Sequence, residues 1–209
     1  MHRIHQIALT VLAAGSLALP LSAAGLLGER YAEVSYDFVQ TGSARYDNGA
    51  GMTLAYNQPY SENVDLGASF QFAMYDAANN RPEVGDFSEQ RLQVFATAYM
   101  PPERDRLWLR LGVGLGEVER DYSATETPDE EITDLSWLFR IGTEYAIGDK
   151  AAVTPYLGFE DILDDGETID FVYGVHAFWD VAESIALSLR IEGNRDYNLG
   201  ISLGCLARF

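Results

Sequence analysis

Hydrophobic and polar residues alternate with a period of two in ten runs between Tyr31 and Phe209. In the run VDLGASFQFAM, which starts at Val64, every even-numbered residue is apolar, and the odd-numbered residues are Asp, Gly, Ser, Gln and Ala. Successive side chains of a strand point to opposite faces, so this pattern predicts strands with one apolar and one polar face. Beyond residue 24 no segment has the roughly 20 apolar residues of a spanning helix. Such a chain can cross a membrane only as a closed barrel.

The number and spacing of the runs predict an all-β fold, a single up-and-down antiparallel transmembrane barrel of about ten strands. Short connections follow the even-numbered runs, and long loops follow the first, third and fifth runs, which is typical of membrane barrels. Both termini then lie at the end with the short turns. Eight strands is the alternative if the weak second and fourth runs are misread. The runs cover residues 31–38, 51–56, 64–74, 91–99, 107–116, 135–145, 153–160, 169–179, 185–192 and 197–209.

The first 24 residues predict a secretory signal peptide. A short basic stretch, MHRIHQ, precedes 15 mostly apolar residues and the small residues SAA, which together match an export signal with a cleavage site. We expect cleavage after Ala24, with Ala23 close behind, and a barrel over residues 25–209. An uncleaved membrane anchor is the alternative. The net charge of −18 indicates no nucleic-acid partner, because phosphates require a basic surface.

The composition of the polar face indicates which side of the barrel it lines. This face is rich in glycine and carries charges of both signs, whereas the apolar face carries no charge in any run. Small residues and opposite charges suit a narrow interior, where ions can pair. We therefore predict that the apolar face contacts lipid, although a soluble barrel with an apolar interior alternates in the same way. The predicted polar network of the lumen consists of Glu33, Asp37, Arg110, Arg140, Glu144, Glu160, Asp170, His176, Arg190 and Glu192.

Aromatic residues near the strand ends form a second pattern. In membrane barrels such residues lie at the two lipid–water interfaces. We expect this position for Tyr31, Tyr56, Tyr99, Tyr145, Trp179 and Phe209.

The export signal, the amphipathic runs and the C-terminal run ending in CLARF resemble the small bacterial outer-membrane β-barrel proteins. The resemblance extends over residues 25–209 and implies a location in the outer membrane of a Gram-negative bacterium. It also implies that the last strand is the signal read by the barrel-assembly machinery. That role would fall on one face of the last run, on Tyr197, Leu199, Ile201, Leu203, Cys205 and Phe209. Pro155 departs from the pattern, because a proline inside a strand removes one ladder donor.

Catalytic motifs are weak in this sequence. His176 is the one histidine after residue 24, and its position on the lumen face favours a structural role beside carboxylates. The acidic segment 117–134 matches no calcium-loop spacing, so we expect a solvated loop and no cofactor or metal. That loop could still share divalent ions with lipopolysaccharide phosphates.

We expect lipid and lipopolysaccharide as the surroundings, and the sequence specifies no oligomeric state. Large side chains such as Arg110, Tyr156 and Phe178 should obstruct the lumen. The predicted function is a non-catalytic structural, surface or narrow porin-like role. An outer-membrane enzyme acting on lipid or peptide and a soluble periplasmic ligand-binding barrel are the alternatives.

Overall fold

The computed structural model describes residues 25–41, 46–77, 86–100, 105–121, 130–163, 169–195 and 198–209. The predicted signal peptide, Tyr197 and most of the connections after the odd-numbered strands lie outside these residues. No helix long and apolar enough to span a membrane occurs within the described ranges.

The described residues form ten strands that close into one antiparallel up-and-down barrel, each strand paired with its neighbours in sequence and β1 paired with β10. The prediction of ten strands is confirmed. The alternative of eight strands is wrong, because both weak runs belong to long strands that pair with a neighbour on each side. The strands are β1 Tyr31–Gln40, β2 Tyr46–Ser61, β3 Val64–Ala77, β4 Asp86–Tyr99, β5 Asp105–Asp121, β6 Glu130–Ile147, β7 Ala151–Ile162, β8 Asp170–Ala182, β9 Ile185–Asn194 and β10 Leu199–Arg208.

The chain closes on itself along β1 and β10. Their antiparallel register runs without a shift from Tyr31 opposite Arg208 to Gln40 opposite Leu199. One residue further, the amide of Phe209 donates to the carbonyl of Arg30 at 3.3 Å. This pairing leaves the sheet without an open edge. It also brings Arg30 and Phe209 to the end with the short turns at residues 62–63, 148–150 and 183–184, which we call the turn end; the opposite end is the loop end.

The polarity of the barrel is the reverse of that of a soluble domain. On β1, Glu33 and Asp37 are 4% and 5% exposed, whereas Val34 and Phe38 on the other face are 50% and 51% exposed. Leu111, in the middle of β5, is 54% exposed. The apolar face therefore forms the exterior and the polar face forms the interior.

Glycines on the inner face make room for large aromatic side chains. A Cβ atom added to Gly67 would clash with the Phe95 ring, and one added to Gly142 would lie 2.6 Å from Trp108 Cζ2. Real Cβ atoms do not approach other atoms so closely. The glycine-rich inner face is thus a packing requirement of the crowded interior.

The strands β5 and β6 are longer than the sequence pattern suggests. Their register continues from Asp105 opposite Tyr145 to Arg120 opposite Glu130. The prediction of a loop over residues 117–134 is therefore wrong at both of its ends. Val118 and Ile132, which face each other in this extension, favour strand structure, so the ladder persists through the acidic residues.

Pro155 interrupts one ladder without changing its register. Between β6 and β7, Gly142 pairs with Tyr156 and Tyr145 pairs with Val153, but the two intervening positions are not paired. The missing pairs agree with the expected loss of a donor at proline. The other side of β7 remains paired, with Pro155 opposite Val175.

The prediction for the aromatic residues is wrong at two positions. Tyr31 and Tyr99 are buried inside the barrel at 5% and 9% exposure, because both lie on the polar parity of their strands. Tyr145 and Trp179 are exposed on the outside, at 42% and 65%.

Candidate functional site: the barrel interior

All ten residues predicted for the lumen network are described, and the structure places them in several separate groups. The first group is centred on Arg140. Its Nη2 atom lies 2.6 Å from Glu160 Oε2 and 3.3 Å from Glu192 Oε2. Tyr156 donates its hydroxyl to Glu192 at 2.5 Å, and Arg91 Nη1 lies 2.8 Å from Glu160 Oε1. These residues form a layer of paired charges across the interior, which we call the ion-pair layer.

A second group surrounds Glu33 on β1. Ser188 donates to Glu33 Oε1 at 2.7 Å, and His176 Nε2 lies 3.3 Å from the same oxygen. Arg190 Nη2 lies 3.9 Å from Glu33 Oε2. The His176 ring packs against Phe178 with 4.0 Å between ring centroids. His176 is thus held between a carboxylate and an aromatic ring.

The remaining four predicted residues lie outside these two groups. Asp37 accepts a hydrogen bond from Thr53 at 2.7 Å. Arg110 donates to Thr97 at 2.9 Å and stacks over Phe95 at 4.3 Å. The other two, Asp170 and Glu144, lie near the loop end and the turn end respectively.

Arg91 is the main interior residue that the sequence interpretation missed. Its guanidinium contacts both Glu89 and Glu160. Arg91 lies on the same parity as Gln93 and Thr97, so its inward direction could have been inferred. Its partners could not, because Glu160 is three strands away and the barrel interior brings them together.

A cavity of about 480 Å³ occupies the loop end above the ion-pair layer, and we call it the vestibule. One wall is a cluster of three aromatic rings, Tyr46, Tyr75 and Phe87, whose centroids are 5.5–6.4 Å apart. Carboxylates outnumber guanidinium groups two to one among the lining residues. These charged residues are Asp37, Glu89, Glu160, Asp161, Asp170 and Glu192, with Arg91, Arg120 and Arg190.

A smaller cavity of about 100 Å³ lies between the ion-pair layer and the turn end. It shares Gln71, Glu160 and Arg190 with the vestibule, so these side chains separate the two spaces. On its other side it is lined by Leu26 and Leu27, which precede β1.

Residues 25–30 fold into the barrel and close its turn end; we call them the floor segment. Leu26 and Leu27 are 6% and 8% exposed. The amide of Glu29 donates to the carbonyl of Leu26 at 3.2 Å, and Gly28 has a φ of +81°, as in a type II turn. This turn was not predicted, because the segment has no period-two pattern and is too short for other periodicity to show.

Side chains from five strands hold the floor segment. Glu144 Oε2 accepts from the amide of Leu26 at 2.7 Å, and Asp65 Oδ2 accepts from the amide of Gly28 at 2.9 Å. Three further side chains donate to its carbonyl groups: Arg106 to Leu27 at 2.5 Å, Asn57 to Glu29 at 2.9 Å and Arg208 to Gly25 at 3.3 Å. With the longer bond from the amide of Leu27 to Glu144 Oε2 at 3.4 Å, six side-chain bonds make this six-residue segment part of the folded barrel.

Four of the residues predicted for the assembly signal lie on the exterior of β10, Phe209 directly follows this strand, and Tyr197 lies outside the described residues. Leu199, Ile201 and Leu203 are 40%, 39% and 56% exposed, and Cys205 is exposed as well. The Phe209 ring lies 6.3 Å from the ring of Tyr56 in a stacked arrangement. Together they form an apolar stripe beside the β1–β10 seam.

No group of three or more His, Cys, Asp or Glu side chains could hold a metal ion within the described part of the chain. Glu160, Glu192 and Asp37 in the interior instead pair with arginines or accept hydrogen bonds from neutral donors.

No protein-family model matches the chain, and no curated protein matches it. Solved structures do match. An outer membrane channel from Pseudomonas putida F1 aligns over 93% of this chain and 100% of its own, with a TM-score of 0.52 and 11% identity. The outer membrane protein OprG from Pseudomonas aeruginosa aligns over 90% and 99%, with a TM-score of 0.50 and 9% identity. Ail, the attachment invasion locus protein of Yersinia pestis, aligns over 88% and 100%, with a TM-score of 0.45 and 15% identity.

The closed sheet and the first two of these similarities define the class of the fold. It is an antiparallel up-and-down barrel of the kind found in bacterial outer-membrane proteins. The similarity concerns the architecture alone. The interior groups described above are observations on this chain.

We predict that Arg140→Met destabilises the barrel by about 3–5 kcal/mol, because it removes the guanidinium partner of Glu192 and leaves Glu160 with Arg91 alone. Urea unfolding in detergent micelles, followed by tryptophan fluorescence, measures the change. Addition of Glu192→Gln to this variant should recover part of the loss. Arg195→Met, which removes an exposed arginine at the loop end, is the matched control and should leave the midpoint unchanged. An Arg140→Met midpoint equal to that of the control would contradict the importance of the ion-pair layer.

Proposed function

We propose that this chain is a non-catalytic β-barrel of the Gram-negative outer membrane, with its turn end towards the periplasm and a closed, weakly conducting interior. The reversed polarity of the barrel is the observation that carries this proposal. Apolar side chains on the exterior stay 40–60% exposed on most strands, whereas Asp65, Thr97 and Glu33 are almost completely buried. Lipid tails are the environment in which such an exterior is stable.

The interior argues against the alternative of a soluble ligand-binding barrel. Such a barrel encloses an apolar cavity, whereas this interior holds the ion-pair layer and the Glu33 group. A soluble protein would also expose few contiguous apolar side chains. The aromatic residues Tyr145 and Trp179 lie outside near the turn end, where a lipid–water interface would meet the barrel.

The closed interior supports a scaffold or surface role over that of an open pore. Two barriers lie in series along the axis, the ion-pair layer and the floor segment, with the small cavity of about 100 Å³ between them. Each is held by hydrogen bonds or ion pairs. The described residues leave the vestibule uncovered at the loop end, and this side of the molecule would face the cell surface.

His176 supports the absence of catalysis. A general base needs access to a substrate proton. His176 lies inside the barrel, with its Nε2 atom 3.3 Å from Glu33 and its ring against Phe178. A lipid or peptide outside the barrel would not reach this group.

A small-solute leak is a second candidate. The vestibule and the small cavity share three lining residues, so movement of Glu160 or Arg190 would join them. The similar barrel from Pseudomonas putida is an outer membrane channel by its description. The excess of carboxylates in the vestibule would favour cations over anions in any such leak.

The last strand supports the proposed contact with the barrel-assembly machinery. Leu199, Ile201 and Leu203 present an exposed apolar stripe next to the seam. We propose that this stripe and Phe209 are read before β10 pairs with β1. Lipid and lipopolysaccharide remain the proposed surroundings of the mature barrel.

We predict that Leu111→Arg impairs assembly into membranes, because an arginine on the lipid face near mid-bilayer costs about 2–4 kcal/mol. Tyr60→Arg is the matched control. Tyr60 is 74% exposed at the turn end of β2, where the same side chain would reach the interface and cost about 0–1 kcal/mol. The measurement is the fraction of heat-modifiable protein in the outer-membrane fraction of cells. Equal assembly of the two variants would contradict a lipid-facing exterior.

We further predict that the processed protein gives no discrete conductance steps in planar lipid bilayers, because the ion-pair layer and the floor segment obstruct its axis. A wide porin reconstituted in the same bilayer controls for fusion and detection. Frequent steps from the wild-type barrel would contradict the closed interior. Their reversal potential in a salt gradient would then show whether the leak prefers cations.

A further inference from the structure

The strand residues that hold the floor segment carry as many carboxylates as guanidinium groups. The carboxylates are Asp65 and Glu144, and the guanidinium groups are Arg106 and Arg208. Arg208 forms a close ion pair with Asp180. Among these residues Arg106 is therefore the remaining cation for two buried carboxylates. It lies 3.9 Å from Glu144 Oε1, beyond hydrogen-bond distance, and it donates to a carbonyl instead.

The floor segment itself adds a further buried carboxylate. Glu29 is 5% exposed, and its Oε2 atom has no hydrogen-bond partner among the described residues. Burial raises the pKa of Glu29 from 4.5 to about 7. Uncompensated buried charge is costly. The floor of the barrel is consequently a place where an additional cation would stabilise the fold.

The backbone at Gly25 lies next to the Glu144 carboxylate. Gly25 is buried, and the next amide, that of Leu26, donates to Glu144 Oε2 at 2.7 Å. A Cβ atom on Gly25 would lie 2.5 Å from Glu144 Oε1. Because N and Cβ are bonded to the same Cα, the Gly25 nitrogen lies within about 5 Å of that oxygen.

We propose that Glu144 is a binding site for an α-ammonium group, namely the amino terminus that cleavage between Ala24 and Gly25 would create. The proposal rests on the export and processing proposed above. A signal peptidase of the cell envelope would hydrolyse the Ala24–Gly25 peptide bond with one water molecule. The hydroxyl goes to the Ala24 carboxyl group, and the Gly25 nitrogen becomes an amine that takes up a proton at neutral pH.

Processing then supplies a second cation beside Glu144, in addition to Arg106 at 3.9 Å. The ammonium group adds a charge-assisted hydrogen bond to Glu144, whose Oε2 atom already accepts from Leu26 and Leu27. In the precursor the same nitrogen is a neutral amide. The floor segment is thus locked across the turn end after cleavage, and closure of the barrel is coupled to maturation.

The chain provides an internal control for a direct test. Lys150 is the only lysine in the sequence, so protein that begins at Gly25 has two primary amines, the Gly25 α-amine and the Lys150 ε-amine. Lys150 is exposed in the turn between β6 and β7, at the same end of the barrel. Reductive methylation with ¹³C-formaldehyde labels the two amines, and NMR titration of folded protein in micelles gives the pKa of each.

We expect intact mass to give Gly25 as the first residue, and the pKa of its amine to lie above about 9, whereas an ordinary α-amine titrates near 7.7–8.0. The unmethylated Gly25 amine should also react with an acylating reagent at least tenfold more slowly in folded than in urea-unfolded protein. Glu144→Gln should remove both effects while Lys150 is unchanged. Glu183→Gln, which removes an exposed carboxylate at the same end of the barrel, should leave both effects intact.

A Gly25 amine with an ordinary pKa and full reactivity in the folded wild-type protein would overturn the proposal, as would a different first residue. The pKa and the reactivity of the Gly25 amine in the wild-type protein test the proposal even if Glu144→Gln does not fold. Bilayer silence with an ordinary Gly25 amine would leave the closed barrel intact and remove only the ammonium site. Conductance steps together with a raised pKa of the Gly25 amine would contradict the closed interior and support the ammonium site.

Discussion

The closure of β1 onto β10 is the constraint on which the rest of this structure depends. A sheet surrounded by lipid has no water to satisfy its backbone groups, so every strand needs two neighbours. The unbroken register from Tyr31 and Arg208 to Gln40 and Leu199 meets this requirement. A ten-stranded closed sheet encloses a narrow interior. The polar face of every strand must therefore fit into little space, and this accounts for the glycines beside Phe95 and Trp108.

Confinement also explains how the interior tolerates so many charges. Arg140 and Arg91 lie close enough to Glu160 and Glu192 for ion pairs that would be weak on a solvated surface. The floor segment extends the same principle to the turn end, where side chains bond to backbone amides and carbonyls. The polar groups that line the barrel thus obstruct its interior, and the vestibule is the space that the described residues leave open at the loop end.

Much of this arrangement could be predicted from the sequence, because a period of two fixes which face each strand residue occupies. The outward direction of Leu111 and the inward direction of Arg140 followed from this alone. The contact partners of the inward side chains do not follow from the period, since Arg91 reaches Glu160 only across the closed barrel. Tyr31 has the parity of the inner face, so its buried position follows from the period of two as well. Its residue type and its place near a strand end favour the interface instead. The floor segment has no periodicity, and its turn depends on contacts from distant strands.

The membrane-facing exterior is the central claim, and the single cysteine allows a direct measurement. Cys205 is exposed on the outer face of β10, opposite Val34 of β1. A bimane fluorophore attached to Cys205 in reconstituted vesicles should be quenched by lipids brominated along their acyl chains and protected from aqueous iodide. Strong quenching by iodide with no effect of the brominated lipids would place this face in water and contradict the account.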